Sequence, residues 1–420
     1  MPRLLGFVFI FAATVSYGQI EEVRRITKQL CAPEFHGRGY VFKGDSLAAD
    51  FLANEFKAIG VGPIGDSYFQ NFTLDVNTFP GSMNAAMNGQ ELKAGEDFIV
   101  SAGSNGYSGL FNYKVINGSM VTDPDQLGQV IQDILSDKDI HGALIDFVDL
   151  AAETRKDLYG FGRELSAIMP VVELTDSKFV WSVSREQSPN MYLELQDASY
   201  EEGAELVFDI DSKFIKNYRS QNVIAQIPAK KKCAKTIVFS AHYDHLGRMG
   251  DEIYFPGAND NASGTAMLIT MAKYFKENPS KYNIVFIAFA GEEAGLVGSK
   301  YYVENPLFRL KKIKFLLNLD IMGSGEEGIT TVNATLFEDE FKLLQTINEE
   351  KNLLAKVKSR GPAANSDHYW FTEKKVPAFF IYTMGPNKHY HDVFDTYEEL
   401  TFNEYHDITS LLVEFVERLK

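Results

Sequence analysis

Residues 236–299 constrain the fold more than any other stretch of the chain. They contain TIVFSAHYDHLG, then PGANDNASGTAMLITMAKYF, then NIVFIAFAGEEAGLVGS. TIVFSA and NIVFIAFA are short unbroken apolar runs, the pattern of strands covered on both faces. Between them, residues 264–275 have the length and composition of a helix. The residues able to do chemistry fall where these elements begin or end. His242 and Asp244 follow the first strand, Asp260 precedes the helix, and Glu292 and Glu293 follow the second strand. Open α/β sheets bind ligands beyond the carboxyl ends of their strands, so this spacing predicts a functional rim on such a sheet. Two later pieces extend the rim: KFLLNLD, ending at Asp320, and AFFIYTMGPNKHYHDVFDT, containing Tyr390 and His391.

The rest of the chain fits around that sheet. Residues 21–30 read as a short helix. Residues 45–59 read as an amphipathic helix, with Leu47, Ala48, Phe51, Leu52, Phe56 and Ile59 at helical spacing and Gly60, Gly62 and Pro63 to stop it. SYFQNFTLDV alternates like a strand. Residues 81–214 differ: strand-like pieces dominate, helices are expected over 124–135 and 176–184, and no cluster of histidines and acids appears. They read as a mixed β domain inserted into the first. Further on, NVIAQI and TIVFSA flank PAKKKCAK and predict an antiparallel hairpin with Lys230–Lys232 at a solvated tip. Strands KFLLNLD, TTVNAT and AFFIYT then alternate with helices over 295–303, 339–354, 367–372 and 403–419. The expected fold class is α/β, a mixed and mostly parallel central sheet with helices on both faces, plus the inserted β-rich domain.

Charge and leader narrow the function. The 420 residues carry a formal net charge of -16. That excess of carboxylates argues against a nucleic-acid partner, which requires a basic face, and favours divalent cations. Arg3, the apolar run 4–15 and the small residues of Ser16-Tyr17-Gly18 form a secretory leader with cleavage expected before Gln19. The mature protein is therefore expected to be exported, periplasmic or extracellular, with no membrane span. Cys31 and Cys233 are the only cysteines and leave their pairing open. They offer no thiolate zinc motif, so any metal must be held by histidine and carboxylate.

The rim residues supply such a set. His242 and Asp244 are two apart at a strand end and point the same way. His242 is expected to bind metal, with Asp244 accepting from its other ring nitrogen. Asp260, in a tight turn before a helix, can offer one oxygen to each of two metals. Glu292 and Glu293 diverge, so one can bind while the other takes a proton. Asp320 and His391 add one ligand each. Two histidines and three carboxylates, with one glutamate to spare, fit two metals sharing a carboxylate and a water of lowered pKa. Each piece alone has an ordinary explanation. Asp before a helix is usually an N-cap, and adjacent glutamates are usually a solvated face. The joint placement is what singles them out. His36, His245, His368 and His389 are read as packing, lining or loop residues, and Asp367 is left open between a helix N-cap and contact with a substrate amine.

HYDHLG, GANDNASG, GEEAGLVGS, NLD and YHDVFDT together resemble the successive motifs of the M28 family of zinc aminopeptidases. GRGYVFKGDSLAADFLANEFKAIGVGP and NSDHYWF are similar to further segments of that family. The resemblance implies a zinc-exopeptidase-type sheet and two Zn2+ ions. His242, Asp260 and Asp320 would hold one ion, and Asp260, Glu293 and His391 the other. Glu292 would be the general base, Tyr390 a candidate to steady the oxyanion, and the substrates peptides with a free N-terminus. A cis peptide is implied at Asp260-Asn261. The chain divides accordingly into a leader (1–18), the first part of a peptidase domain (19–80), an insertion resembling a protease-associated domain (81–216) and the catalytic part (217–420). Two rivals share this scaffold. A glutaminyl cyclase works with one zinc, which the complete two-metal set disfavours. A non-catalytic binding domain has lost its ligands, and here Glu292 and the whole set are intact.

Overall fold

The computed structural model describes residues 20–232 and 234–420. The leader, its cleavage site and Cys233, hence the question of a Cys31 pair, lie outside the described residues. The main sheet has nine strands: β1 (Gly62–Pro63), β2 (Phe69–Thr78), β3 (Lys213–Ile227), β4 (Thr236–His242), β5 (Asn283–Phe289), β6 (Ile313–Leu319), β7 (Gly328–Val332), β8 (Val357–Ser359) and β9 (Ala378–Met384). Their order is β1-β3-β5-β4-β6-β9-β7-β8, with β2 also pairing β3. The centre, β5-β4-β6-β9, is parallel, and β3 and β7 join it antiparallel.

Among the described residues, helical residues 20–30 pack into the main core, and six further helices cover the sheet: α1 (Gly44–Ile59), α2 (Gly264–Glu277), α3 (Val297–Glu304), α4 (Glu338–Lys351), α5 (His368–Glu373) and α6 (Tyr405–Arg418). Strand alternation sorts the core into two layers. Ile237 and Phe239 of β4 join Phe56, Met267, Leu344 and Phe415 from α1, α2, α4 and α6. Val238 faces the other way, onto Tyr302 of α3 and Phe371 of α5. A fully buried side chain such as Phe239 contributes ~1.5–3 kcal/mol by burial alone. Burial on both faces is why these strands are apolar throughout and why their first polar side chains appear at their ends.

β2 and β3 form a long antiparallel ribbon from Phe69↔Val223 to Thr78↔Lys213. The chain between them builds a five-stranded and a four-stranded sheet. Their shared core contains Phe98, Leu144, Leu193, Leu206 and Phe208. It also takes in Leu246, Met249 and Phe255 from the loop after β4, so the inserted sheets pack directly on a loop of the functional rim.

Two expectations are corrected. NVIAQI and TIVFSA do not form a hairpin, because β5 lies between β3 and β4 and pairs with both. The apolar pattern gives no sign of a strand that arrives some fifty residues later. The expected helix over 176–184 is absent. That segment runs extended as a strap, with the Trp181 indole donating to Val100 O at 2.7 Å and stacked on Phe255 at 4.7 Å. The helix over Pro124–Ser136 forms, and Asp123 caps it. Three short helices, Gly118–Val121, Ala152–Asp157 and Phe161–Leu165, have no counterpart in the sequence reading.

Candidate metal centre

Five side chains converge at the carboxyl ends of the parallel strands. His242 ends β4 and Asp320 follows β6, its neighbour in the sheet. Glu292 and Glu293 follow β5 across Gly291, and His391 lies in the loop after β9. His242 Nε2 is 3.1 Å from Asp260 Oδ1 and 3.2 Å from Asp320 Oδ1. His391 Nε2 is 3.1 Å from both Asp260 Oδ2 and Glu293 Oε2. Asp260 thus turns one oxygen toward each histidine.

The turn that carries Asp260 is held from all sides. Asp395 accepts from the backbone N–H groups of Asn259 at 2.9 Å and Asp260 at 3.0 Å. The Asn261 side chain donates to Leu319 O and accepts from Gly264 N. A Cβ at Gly264 would meet Leu319 O at 2.6 Å, so the helix starts on glycine to approach β6 this closely. The Asp260-Asn261 peptide bond is cis.

Arg38, from the GRGY loop, is fully buried and donates to four carbonyls: Tyr243 at 2.8 Å, Leu30 at 2.9 Å, Pro256 at 2.7 Å and Gly257 at 2.7 Å. It ties the amino-terminal segment to both ends of the loop between β4 and α2. Nothing in the sequence reading marks Arg38; a lone arginine among glycines looks like a loop residue.

The ligand shell differs from expectation at Asp244. His242 Nδ1 meets the backbone O of Asp244 at 3.1 Å, while the Asp244 carboxylate stays 3.9 Å away. That carboxylate instead accepts from Glu292 N at 3.2 Å, Glu293 N at 3.4 Å and the Tyr40 hydroxyl at 3.3 Å. The strand ends at His242, so the chain bends and the carbonyl arrives where the side chain was expected. Asp244 therefore anchors the paired glutamates and does not itself orient the imidazole.

His245 does more than line the site. Its Nδ1 is 2.7 Å from Glu293 Oε1, and with Asp260 and Glu293 it forms a second group of suitable metal-ligand spacing. The other such group is His242, Asp260 and Asp320. His391 Nδ1 meets the Trp181 carbonyl at 2.9 Å, which fixes its Nε2 toward Asp260 and Glu293. A second histidine three residues after His242 is the signal that could have drawn attention to His245.

Glu292 lines a cavity of about 270 Å³ with His242, Asp260, Asp320 and His391. Its carboxylate makes no hydrogen bond among the described residues, and burial pushes its pKa well above the usual range. Burial would also raise Asp260, but hydrogen bonds from His242 and His391 outweigh it and hold that carboxyl well below. Tyr390 is half exposed, stacks on the His391 ring at 3.9 Å and lines the same cavity. Asp367 is buried, has no hydrogen-bond partner among the described residues and makes no cap bond to α5. Burial raises it to about 7. His368 is buried against Phe380, His36 meets Arg248, and His389 meets Asp392.

The open α/β sheet thus places one carboxylate between two histidines, an arrangement that could hold metal. Residues 222–416 match Peptidase family M28. The aminopeptidase YwaD of Bacillus subtilis is 39% identical over 117 residues, 27% of this chain and 24% of that protein. A probable leucine aminopeptidase of Trichophyton verrucosum is 28% identical over 223 residues, 49% of this chain and 58% of that one. The chain thus spans from about a quarter to somewhat over half the length of these relatives. Among solved structures, a zinc aminopeptidase from Bacillus subtilis shares the fold with a TM-score of 0.68 at 20% identity, covering 94% of this chain and 93% of that one. A Peptidase M28 precursor from Shewanella amazonensis gives 0.67 at 16% identity, covering 97% and 96%.

Proposed function

We propose that this protein is an exported, zinc-dependent aminopeptidase that removes N-terminal residues from peptides with two zinc ions. The observation that carries the reading is Asp260, whose two oxygens lie 3.1 Å from His242 Nε2 and 3.1 Å from His391 Nε2. Nitrogen and oxygen donors without thiolate suit zinc, and three buried carboxylates facing two imidazoles leave negative charge for cations to offset. His242, Asp260 and Asp320 would hold one ion; Asp260, Glu293 and His391 would hold the other. His391 is preferred over His245 because the Trp181 carbonyl aims its free nitrogen into the site, whereas His245 is committed to Glu293.

When bound, zinc supplies Lewis-acid polarisation of a carbonyl and lowers the pKa of water toward neutrality. Glu292 takes the proton from the attacking water and delivers it to the leaving amine. Its free carboxylate, held by a backbone anchored to Asp244, supports that role. The Tyr390 hydroxyl, on a ring stacked against His391, donates to the oxyanion as it forms. The leader-like residues 1–18 support export, and the sheets between β2 and β3 act as a protease-associated-like domain that braces the rim.

The test is hydrolysis of aminoacyl p-nitroanilides by the mature protein as prepared, after chelation and after zinc is restored. Activity should vanish with chelator and return with zinc, at two ions per chain by elemental analysis. No hydrolysis of any free-amino substrate by protein holding two zincs would sink the reading.

A further inference from the structure

The cavity has two unlike sides. One is the metal centre. The rest of its lining is Ile321, Arg360, Asn365, Phe380, Tyr382 and Tyr390. Phe380 and Tyr382 are two apart on β9, so they share a face, and their rings lie 5.3 Å apart. Ile321 follows Asp320 with φ 56°, a costly conformation for a β-branched residue. Thr383 holds it there, donating to Ile321 O from both its backbone N at 2.9 Å and its hydroxyl at 2.7 Å. These three residues make an apolar wall for one side chain.

Arg360 breaks that wall. It follows β8, and its backbone is fixed on both sides: its N–H donates to Thr331 O at 2.9 Å and its O accepts from Ala334 N at 3.1 Å. Its guanidinium reaches the Tyr382 hydroxyl at 3.3 Å, and among the described residues no carboxylate pairs with it. A guanidinium has five donors in a fixed fork that matches a carboxylate. The carboxylates across the cavity are engaged on the reading above, Asp260 and Asp320 with cations and Glu292 with a proton, so they do not require Arg360 for neutralisation. Arg360 is exposed, so it stands at the rim of the cavity, where a wall built only for leucine or phenylalanine would have no use for a cation.

We propose that Arg360, with the Tyr382 hydroxyl, selects peptides whose N-terminal residue is glutamate or aspartate. This rests on the aminopeptidase reading and names the substrate class of the same site. The α-amino group and scissile bond would lie at the metal side, with the side-chain carboxylate accepting from the guanidinium opposite.

The experiment compares kcat/KM of the zinc-loaded protein for Glu-, Asp-, Gln-, Leu-, Lys- and Arg-p-nitroanilide, with R360Q and R360E alongside. These substrates have no C-terminal carboxylate. The wild type should prefer Glu over Gln by about 10- to 100-fold, the range of one charge-assisted contact. R360Q should reduce the Glu-to-Leu ratio by at least about tenfold, and R360E should shift preference toward Lys and Arg anilides. Leu hydrolysis without an acidic preference would overturn the inference and leave the aminopeptidase reading standing. So would an equal loss on every anilide, or an Arg360 effect seen only on dipeptides with a free C-terminus, which would assign Arg360 to that carboxylate. Silence on all anilides with two zincs bound would overturn both.

Discussion

The two oxygens of Asp260 face halves of the site that are built differently. The His242–Asp320 half belongs to the sheet. Both residues end adjacent parallel strands, both are buried, and Asp320 Oδ2 is held further by Ser366 at 3.0 Å. The His391–Glu293 half is assembled from loops. His391 sits at φ 53°, its side chain is 13% exposed, and its orientation comes from Trp181 in the strap of the insertion. Glu293 depends on His245 through its side chain and on Asp244 through its backbone. The first half comes with the sheet itself, whereas the second requires segments distant in sequence to arrive together. The first should therefore resist perturbation and the second should report on it.

Removing the shared residue should break both halves at once. Asp260→Asn keeps the volume of the side chain but lowers its charge and gives up one of its two acceptor oxygens. We expect activity at background and bound zinc well below two per chain at any practical concentration, measured by elemental analysis. Retention of both ions would mean that Asp260 does not bridge. Glu292→Gln should do the opposite. Bound zinc should stay at two per chain while kcat falls by about 10²–10⁴-fold, the usual range for a lost general base. Loss of zinc in this variant would make Glu292 a ligand and reverse its role with Glu293.

The same asymmetry decided what could be read in the sequence. The sheet half was legible because fully buried strands are apolar, so His242 and Asp320 stand out as the first polar residues after them. Glu292 and Glu293 stood out for the same reason. The cause of His391's orientation was not legible. Trp181 lies 210 positions away, and the apolar residues around it fit a helix as well as a strap; contacts with Phe255 and Val100 settle the matter. Asp244 is legible as a residue of the rim, but its contacts with the Glu292 and Glu293 backbone are not, because spacing gives the direction of a side chain only while the strand continues. Arg38 escaped altogether. Its partners are backbone carbonyls, which leave no trace in the residue pattern.

Tyr390 probes the loop half without dismantling it. Tyr390→Phe keeps the ring on His391 and removes only the hydroxyl. If that hydroxyl donates to the oxyanion, kcat should fall by about 10²-fold with KM and zinc content little changed, as for the loss of one such donor. Unchanged kcat would leave Tyr390 as a packing partner of His391.

Trp181→Ala gives the smallest effect and the sharpest test of the comparison. The substitution retains the carbonyl that receives His391 Nδ1 but removes the indole that fixes it through Val100 and Phe255. His391 would keep its partner and lose its aim. Loss of such an orienting contact typically costs about 10- to 100-fold in metal affinity. We expect that cost on one ion only. At limiting zinc the variant should hold one ion and be nearly inactive; at saturating zinc both the second ion and most of the activity should return. Chelator titration of the wild type should show the same order in milder form, with one zinc leaving before the other. Two ions lost together in Trp181→Ala would show that the halves are not independent and that the insertion supports the whole rim. Two ions retained with wild-type affinity would show that the loop after β9 holds His391 without help from the strap.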